Sequence, residues 1–263
     1  KDSKVRDEQG RLLVVYHGTN EEFNVFDPKF IGMSSGDSGF FGRGFYFAYS
    51  QGEASMYGRR RIISAYLNIK NPFNFQENLD TYNGNRTLLG DAPHAIRFLN
   101  FARLFPQIAK DKKIDVVKQG SDTYVSISLQ EFAKEYKKVI DTVKFTVEKV
   151  ETDYGEEWVT LADKQTIKYT DYKGKDKTYT DYKYQKRFFS ESDAKDKLYN
   201  AYEYLASVVY DKVDMYNFTR FILDNGEQFT QAVKDKGYDG IIQSISGDEV
   251  VAFYPSQIKL TTN

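Results

Sequence analysis

The pattern of the chain breaks twice, near Gln76 and again near Asn217, and these two breaks constrain the fold more than any single motif. Outside them, short β-branched and aromatic runs alternate with glycine: "RLLVVYHGT" from Arg11, "FYFAYS" from Phe45, "RRIISAYLNIK" from Arg60 and "KGYDGIIQSISGDEVVAFYPSQIKL" from Lys236. Such runs read as strands closed by turns, with Pro72 ending the third and "SGD" near the turn of a final hairpin. Between the breaks lysine, aspartate and tyrosine dominate and glycine punctuation is scarce. The expectation is an α+β chain whose residues 1–75 and 215–263 form one core, with residues 76–214 as an insertion or second subdomain of mixed helices and a hairpin.

Inside the middle segment, "APHAIRFLNFARLFPQIAKD" has helical spacing at Phe98, Phe101, Ala102 and Phe105, with Asp91 as its cap and His94 on its surface or core side. "SLQEFAKEYKKVIDTVKF" repeats that spacing through Leu129, Phe132, Tyr136, Val139 and Ile140, and residues 192–212 and 215–235 carry it again. "YTDYK" occurs at Tyr169–Lys173 and at Tyr179–Lys183 on either side of a glycine, which predicts two alternating strands and a turn. Residues 165–188 hold seven basic residues against three aspartates, interleaved with tyrosine. That ribbon either packs its tyrosines on one side as a solvated hairpin or meets a target, since interleaved rings and cations suit bases and phosphates.

His17 closes the first strand and is one of two histidines in 263 residues. A scarce imidazole at a strand end invites a nucleophile-and-base reading, but cysteine is absent and no Cys pair or His-x-x-x-His spacing occurs. Disulfides, thiolate zinc sites and thiol nucleophiles are thereby excluded, and no metal site is expected. Gly42-Arg43-Gly44 continues into neither a dinucleotide-binding glycine triplet nor a Gly-Lys-Ser/Thr phosphate loop. Lys plus Arg number 37 against 38 Asp plus Glu, so no global field holds a polyanion or an anionic membrane and any such surface is local. No apolar run approaches the roughly 18 residues that span a bilayer. The chain opens on Lys rather than Met, as a piece of a longer polypeptide does.

What is left is a constellation: "YHGT" at a strand end, a glycine loop feeding "GRGFYFAYSQGEASMYG" with two tyrosines eleven residues apart, and "GDEVVAFYPSQIK" late in the chain. In that order these resemble the ADP-ribosyltransferases of the diphtheria-toxin and poly(ADP-ribose) polymerase class, marked by a histidine, a tyrosine and a glutamate on three strands. The wording is most similar to transferase domains of phage and mobile-element polyproteins and of bacterial toxins. The resemblance covers residues 10–75 and 215–262 and implies a split β core holding NAD in a crevice. It implies a mono-ADP-ribosyltransferase moving ADP-ribose from NAD to a macromolecular acceptor, a protein rather than a nucleic acid, with no membrane partner. It also implies a bacterial or phage-encoded chain working in a cytoplasm, its own or one it is delivered into as part of a larger protein. An NAD glycohydrolase, or a silent module binding NAD, ADP-ribose or a partner, are the other readings.

Carried over by position, Glu249 matches the catalytic glutamate that stabilises a cationic ribose, with Asp248 one register step away. Tyr46 and Tyr57 match the rings that sandwich nicotinamide, whose cationic heterocycle suits an electron-rich ring face. His17 matches the histidine that positions the adenosine ribose. Gly18 matches the glycine that lets the ligand approach the backbone, and Thr19 and Ser55 fall with them on the NAD-binding side. Ala54 stands where the polymerase branch has a serine on the carboxamide, and Gly247 where the arginine-modifying class has Glu or Gln.

Overall fold

A computed structural model describes residues 2–32, 39–82, 85–86, 94–117, 124–152, 155–196, 218–243 and 249–261. In chain order these residues form β1 (Val15–Thr19), β2 (Phe45–Ala48), α1 (Gln51–Tyr57), β3 (Arg61–Leu67), β4 (Pro72–Asn74) and α2 (Phe75–Leu79). There follow β5 (Thr81–Tyr82), β6 (Asn85–Arg86), α3 (His94–Leu104), α4 (Pro106–Ala109), β7 (Lys113–Val117), β8 (Tyr124–Ser128) and α5 (Leu129–Thr142). Next come β9 (Thr146–Thr152), β10 (Gly155–Thr170), β11 (Asp176–Phe188) and α6 (Glu191–Asp196), then α7 (Phe218–Asp235), β12 (Gly240–Ile242), β13 (Glu249–Ala252) and β14 (Ile258–Leu260). The chain divides into two compact units, Lys1–Leu79 with Asn217–Asn263, and Asp80–Tyr216.

The first unit is built on a seven-stranded sheet in the order β14-β3-β1-β2-β13-β12-β4, which joins strands from both ends of the chain. Every pair is antiparallel except β12 with β4. The ladder is uneven. β1 and β3 share five register pairs, whereas the register of β1 with β2 holds one, Tyr16 with Ala48. Strand alternation gives each face its own residues. One face carries Val15, Phe45, Phe47, Ile63, Ala65, Val250 and Ala252, which form a buried apolar cluster with Val5 and Phe26. The opposite face carries Tyr46, Ala48 and Glu249; Ala48 is paired with Glu249, and Tyr46 with Val251.

α1 starts at Ser50, whose hydroxyl accepts from the Glu53 amide while the Glu53 carboxylate accepts from the Ser50 amide, a reciprocal cap that fixes both ends of the first turn. α7 buries Phe218, Phe221, Ile222, Phe229 and Val233 along one stripe and bends at Asn225, whose backbone leaves helical geometry at φ −125° and ψ 17°. Pro72 differs from its expected role as a strand end: β3 stops earlier, at Leu67, and Pro72 instead opens β4 at the sheet edge, where its missing amide costs no ladder bond. The expected final hairpin forms from β12 and β13, and its "SGD" turn lies outside the described residues.

The second unit contains a three-stranded antiparallel sheet, β11-β10-β9, and a group of helices around Phe98, Phe101, Phe132 and Tyr136, all fully buried. Its hairpin is the one read from the repeated "YTDYK", with a turn at residues 171–175. The single helix read across residues 92–111 is two, because Phe105 precedes Pro106 and leaves the helical region, at φ −126° and ψ 58°. Asp80 and Arg97 form a buried two-pronged ion pair at 2.7 and 3.0 Å. Asp91 and most of the helix read at residues 192–212 lie outside the described residues.

Candidate active site

Four short strands set the site, and their register says which side chains can meet. Because Ala48 is opposite Glu249 and Tyr46 lies two residues before Ala48, Tyr46 and Glu249 are diagonal neighbours on one face, about 7–8 Å apart along the backbone. Gln243 continues that row, its backbone N–H donating to the Glu249 backbone carbonyl at 3.3 Å. Above this face sits α1, pressed on β1 at Gly18. A Cβ at Gly18 would lie 1.8 Å from the Ala54 carbonyl oxygen, so the helix reaches its place only because position 18 has no side chain. The resemblance implies that this glycine admits a ligand; in the structure its bare Cα admits a helix.

The loop before β2 completes the enclosure. The Tyr46 hydroxyl donates to the Gly42 carbonyl at 2.6 Å and accepts from the Phe41 amide at 2.9 Å, so the ring props the loop from below. Gly42 takes φ 92° and packs against Thr230 of α7. The Thr230 hydroxyl accepts from the Arg43 amide at 2.7 Å and donates to the Arg43 carbonyl at 3.1 Å. Loop, helix and sheet are thereby tied at one corner.

A cavity of about 380 Å³ opens between them, lined by Phe40 and Phe41 from the loop, Glu53, Met56 and Tyr57 from α1, Gln243 just after β12 and Glu249 at the start of β13. Glu249 is 7 % exposed, at the inner end of this space, while Phe40, Met56 and Tyr57 are exposed at its rim. Among the described residues, two carboxylates line the cavity and no Lys, Arg or His does. A space of that size, apolar at the mouth and anionic within, suits a flat cationic ring with polar substituents.

The sequence-derived candidates thus part company. Tyr57 and Glu249 line the cavity together, and Tyr46 stands behind its wall. The Thr19 hydroxyl accepts from the Glu21 amide at 3.0 Å and the Ser55 hydroxyl donates to the Gly52 carbonyl at 2.6 Å, each serving its own turn rather than the cavity wall. His17 lies on the other face, its ring centroid 5.2 Å from Phe26, 5.6 Å from Phe47 and 6.0 Å from Phe23. Its Nδ1 is 2.8 Å from the Tyr46 carbonyl. A carbonyl oxygen only accepts, so Nδ1 carries the proton and donates it. Burial pushes the imidazole below its ordinary range, with the Tyr46 hydrogen bond acting the other way, and the ring is neutral at pH 7. Its bond spans the place where the β1–β2 ladder stops after one pair, so a side chain supplies the rung that the backbone does not.

Asp248, Gly247 and the rest of residues 244–248 lie outside the described residues. Glu53 and Gln243 are cavity residues that sequence reasoning did not single out. Glu53 was signalled by Ser50-x-x-Glu53, a helix-start pattern that fixes where the carboxylate sits. Gln243 had no local signal, since it reaches the site only through its pairing across the hairpin.

No curated protein and no solved structure matches the chain. A family model described as ADP-ribosyltransferase in polyvalent proteins matches residues 7–263, both units included. The three segments that build the cavity, from the loop before β2, from α1 and from the β12–β13 hairpin, all fall inside that match, and the chain belongs to the ADP-ribosyltransferases of polyvalent proteins.

Proposed function

We propose that the chain takes NAD as substrate, releases nicotinamide and transfers a single ADP-ribose to a macromolecular acceptor, for which the near-zero net charge favours a protein. The observation that carries this reading is the cavity lined by both the Glu249 carboxylate and the Tyr57 ring, with no cationic side chain among the described residues of its wall. Breaking the bond between ribose C1′ and the nicotinamide nitrogen leaves the electron pair on nitrogen and positive charge on the ribose. A buried, pre-positioned carboxylate stabilises that charge more in the transition state than in the ground state. Glu249 is the catalytic residue of this reading. Tyr57 stacks on the cationic ring, Tyr46 braces the loop that faces it, and His17 acts as a positioning residue by holding the Tyr46 carbonyl where β1 and β2 part.

The test is incubation with NAD labelled in the adenylate, with and without cell lysate, for the wild type and Glu249→Gln. Label fixed on macromolecules by the wild type, reduced roughly 100-fold or more in the variant, is the expected result. Free ADP-ribose as the sole product makes the chain a glycohydrolase with the same pocket. Binding without turnover makes it a silent module, and an undiminished variant overturns the role of Glu249.

A further inference from the structure

The second unit carries a surface that the cavity does not use. β9 covers β10 only from Gly155 to Leu161. Beyond that line β10 and β11 continue alone as a two-stranded ribbon, paired from Lys164 with Tyr182 out to Thr170 with Asp176. The six steps from Lys164 to Thr170, at about 3.4 Å each, make an arm of about 20 Å. Residues 172–180 are all exposed, so the outer part of the arm is solvated on both faces.

The two faces differ. On one, Lys164, Thr166, Lys168 and Thr170 of β10 are opposite Tyr182, Thr180, Thr178 and Asp176 of β11, a face of hydroxyls and ammonium groups. On the other, Ile167 is opposite Tyr179 and Tyr169 opposite Lys177, and the Tyr169 and Tyr179 rings meet at 5.8 Å while each stays nearly half exposed. At the tip Tyr172 is 92 % exposed, with the Lys173 ammonium 5.4 Å from its ring centre. The acids do not cancel the cations. Asp171 is turned inward, its carboxylate accepting from the Lys173 and Lys175 amides and pairing with Lys177 at 3.1 Å, while Asp176, which accepts from the Thr170 hydroxyl at 2.9 Å, and Asp181 keep their charges but are outnumbered by the lysines. Outward there remain Lys164, Lys168, Lys173 and Lys175 beside three accessible tyrosines.

Lysines alone would be explained as guards against edge-to-edge pairing of an open ribbon. Guarding an edge does not call for exposed aromatic rings, which add the apolar surface that such protection avoids. Rings with open faces next to ammonium groups match a polyanion whose flat bases are free to stack. In a duplex those bases are already stacked on one another. We propose that the β10–β11 ribbon is a single-stranded nucleic-acid-binding arm, with the tyrosines at 169, 172 and 179 as stacking positions and Lys168, Lys173 and Lys175 as phosphate contacts. The proposal does not depend on the reaction assigned to the cavity, and the nucleic acid need not be the acceptor.

Fluorescence polarisation of a labelled 20-nucleotide single strand and the matching duplex, titrated with the full chain over about 50–200 mM salt, tests it. The wild type is expected to bind the single strand more tightly than the duplex, with affinity falling steeply as salt rises. Tyr172→Ala should weaken single-strand binding at least about 5-fold. The combined variant Lys168→Gln, Lys173→Gln and Lys175→Gln should weaken it at least about 10-fold and flatten the salt slope by about 2. All these positions are exposed, so melting curves of the variants should overlay the wild type. The proposal is overturned by absence of binding at about 100 μM protein, by unchanged affinity in the variants, by preference for the duplex, or by a polyglutamate peptide competing as well as the oligonucleotide, which would point to an acidic protein.

Discussion

Gly18→Ala tests the geometry of the cavity without touching any residue that lines it. The new methyl would lie 1.8 Å from the Ala54 carbonyl oxygen, 2.7 Å from its carbon and 2.9 Å from the Gly58 oxygen, all backbone atoms that no rotamer change can clear. Ordinary contact begins near 3.4 Å, so α1 must lift from β1 by about 1.6 Å at this point. Overpacking of this kind costs about 1–3 kcal/mol, or roughly 3 °C of melting temperature per kcal/mol for a chain of this size. The catalytic loss should be larger than the stability loss, because α1 carries Glu53, Met56 and Tyr57 and a misplacement of about 1 Å near a reacting centre costs on the order of 100-fold. Gly58 touches the same contact from the other side, where a Cβ would lie 2.4 Å from the Thr19 Cα. Once α1 has lifted, both methyls fit, so Gly18→Ala with Gly58→Ala should cost clearly less than the two single changes added together. Thermal melts and single-turnover NAD cleavage read both effects. A Gly18→Ala protein with wild-type melting and wild-type turnover, or strictly additive losses, would refute the account.

Two further changes probe the frame around the site. His17 is held below its ordinary 6.5 by burial, so its contribution to stability is complete above pH 6.5 and drains away as the pH falls below that value toward the folded-state pKa. His17→Gln keeps a donor for the Tyr46 carbonyl but loses the ring contacts and the titration, so it should cost about 1–2 kcal/mol at pH 7.5, with the gap to wild type narrowing in urea melts at pH 6 and 5; a constant gap would count against the buried neutral imidazole. Gln257, 6 % exposed, accepts from the Phe253 and Tyr254 amides at 3.0 and 2.9 Å and donates to the Asp239 carbonyl at 2.6 Å. Gln257→Leu preserves the volume and strands those three backbone groups, for an expected loss of at least about 3 kcal/mol; a loss under about 1 kcal/mol in urea melts would show that they find other partners.

How far the sequence discloses this molecule depends on the range over which each feature is determined. The strands around His17, Tyr46 and Glu249 were legible because β-branched runs and glycine stops act within a few residues. So was the ribbon turn, where Asp171 and the amides of Lys173 and Lys175 are neighbours in the chain. The break at Phe105 was equally local, and Pro106 gives its cause once the helical stripe is not allowed to run through it. What could not be read are contacts whose partners lie far apart. Gly18 meets Ala54 across 36 residues and Arg43 meets Thr230 across 187.

That difference alters the meaning of the strand-end histidine. A motif identifies the residue types a site contains, but the parity of a strand decides which face each one serves, and His17 and Gly18 are adjacent and therefore opposed. Gly18 faces α1 and the cavity side, and His17 faces the aromatic cluster of Phe23, Phe26 and Phe47. The imidazole still acts on the cavity, through the backbone: its proton holds the carbonyl of Tyr46, and the Tyr46 hydroxyl holds the loop that carries Phe40 and Phe41. Replacing His17 should therefore disturb the cavity through that loop, while replacing Glu249 should leave its shape and remove only the charge at its inner end.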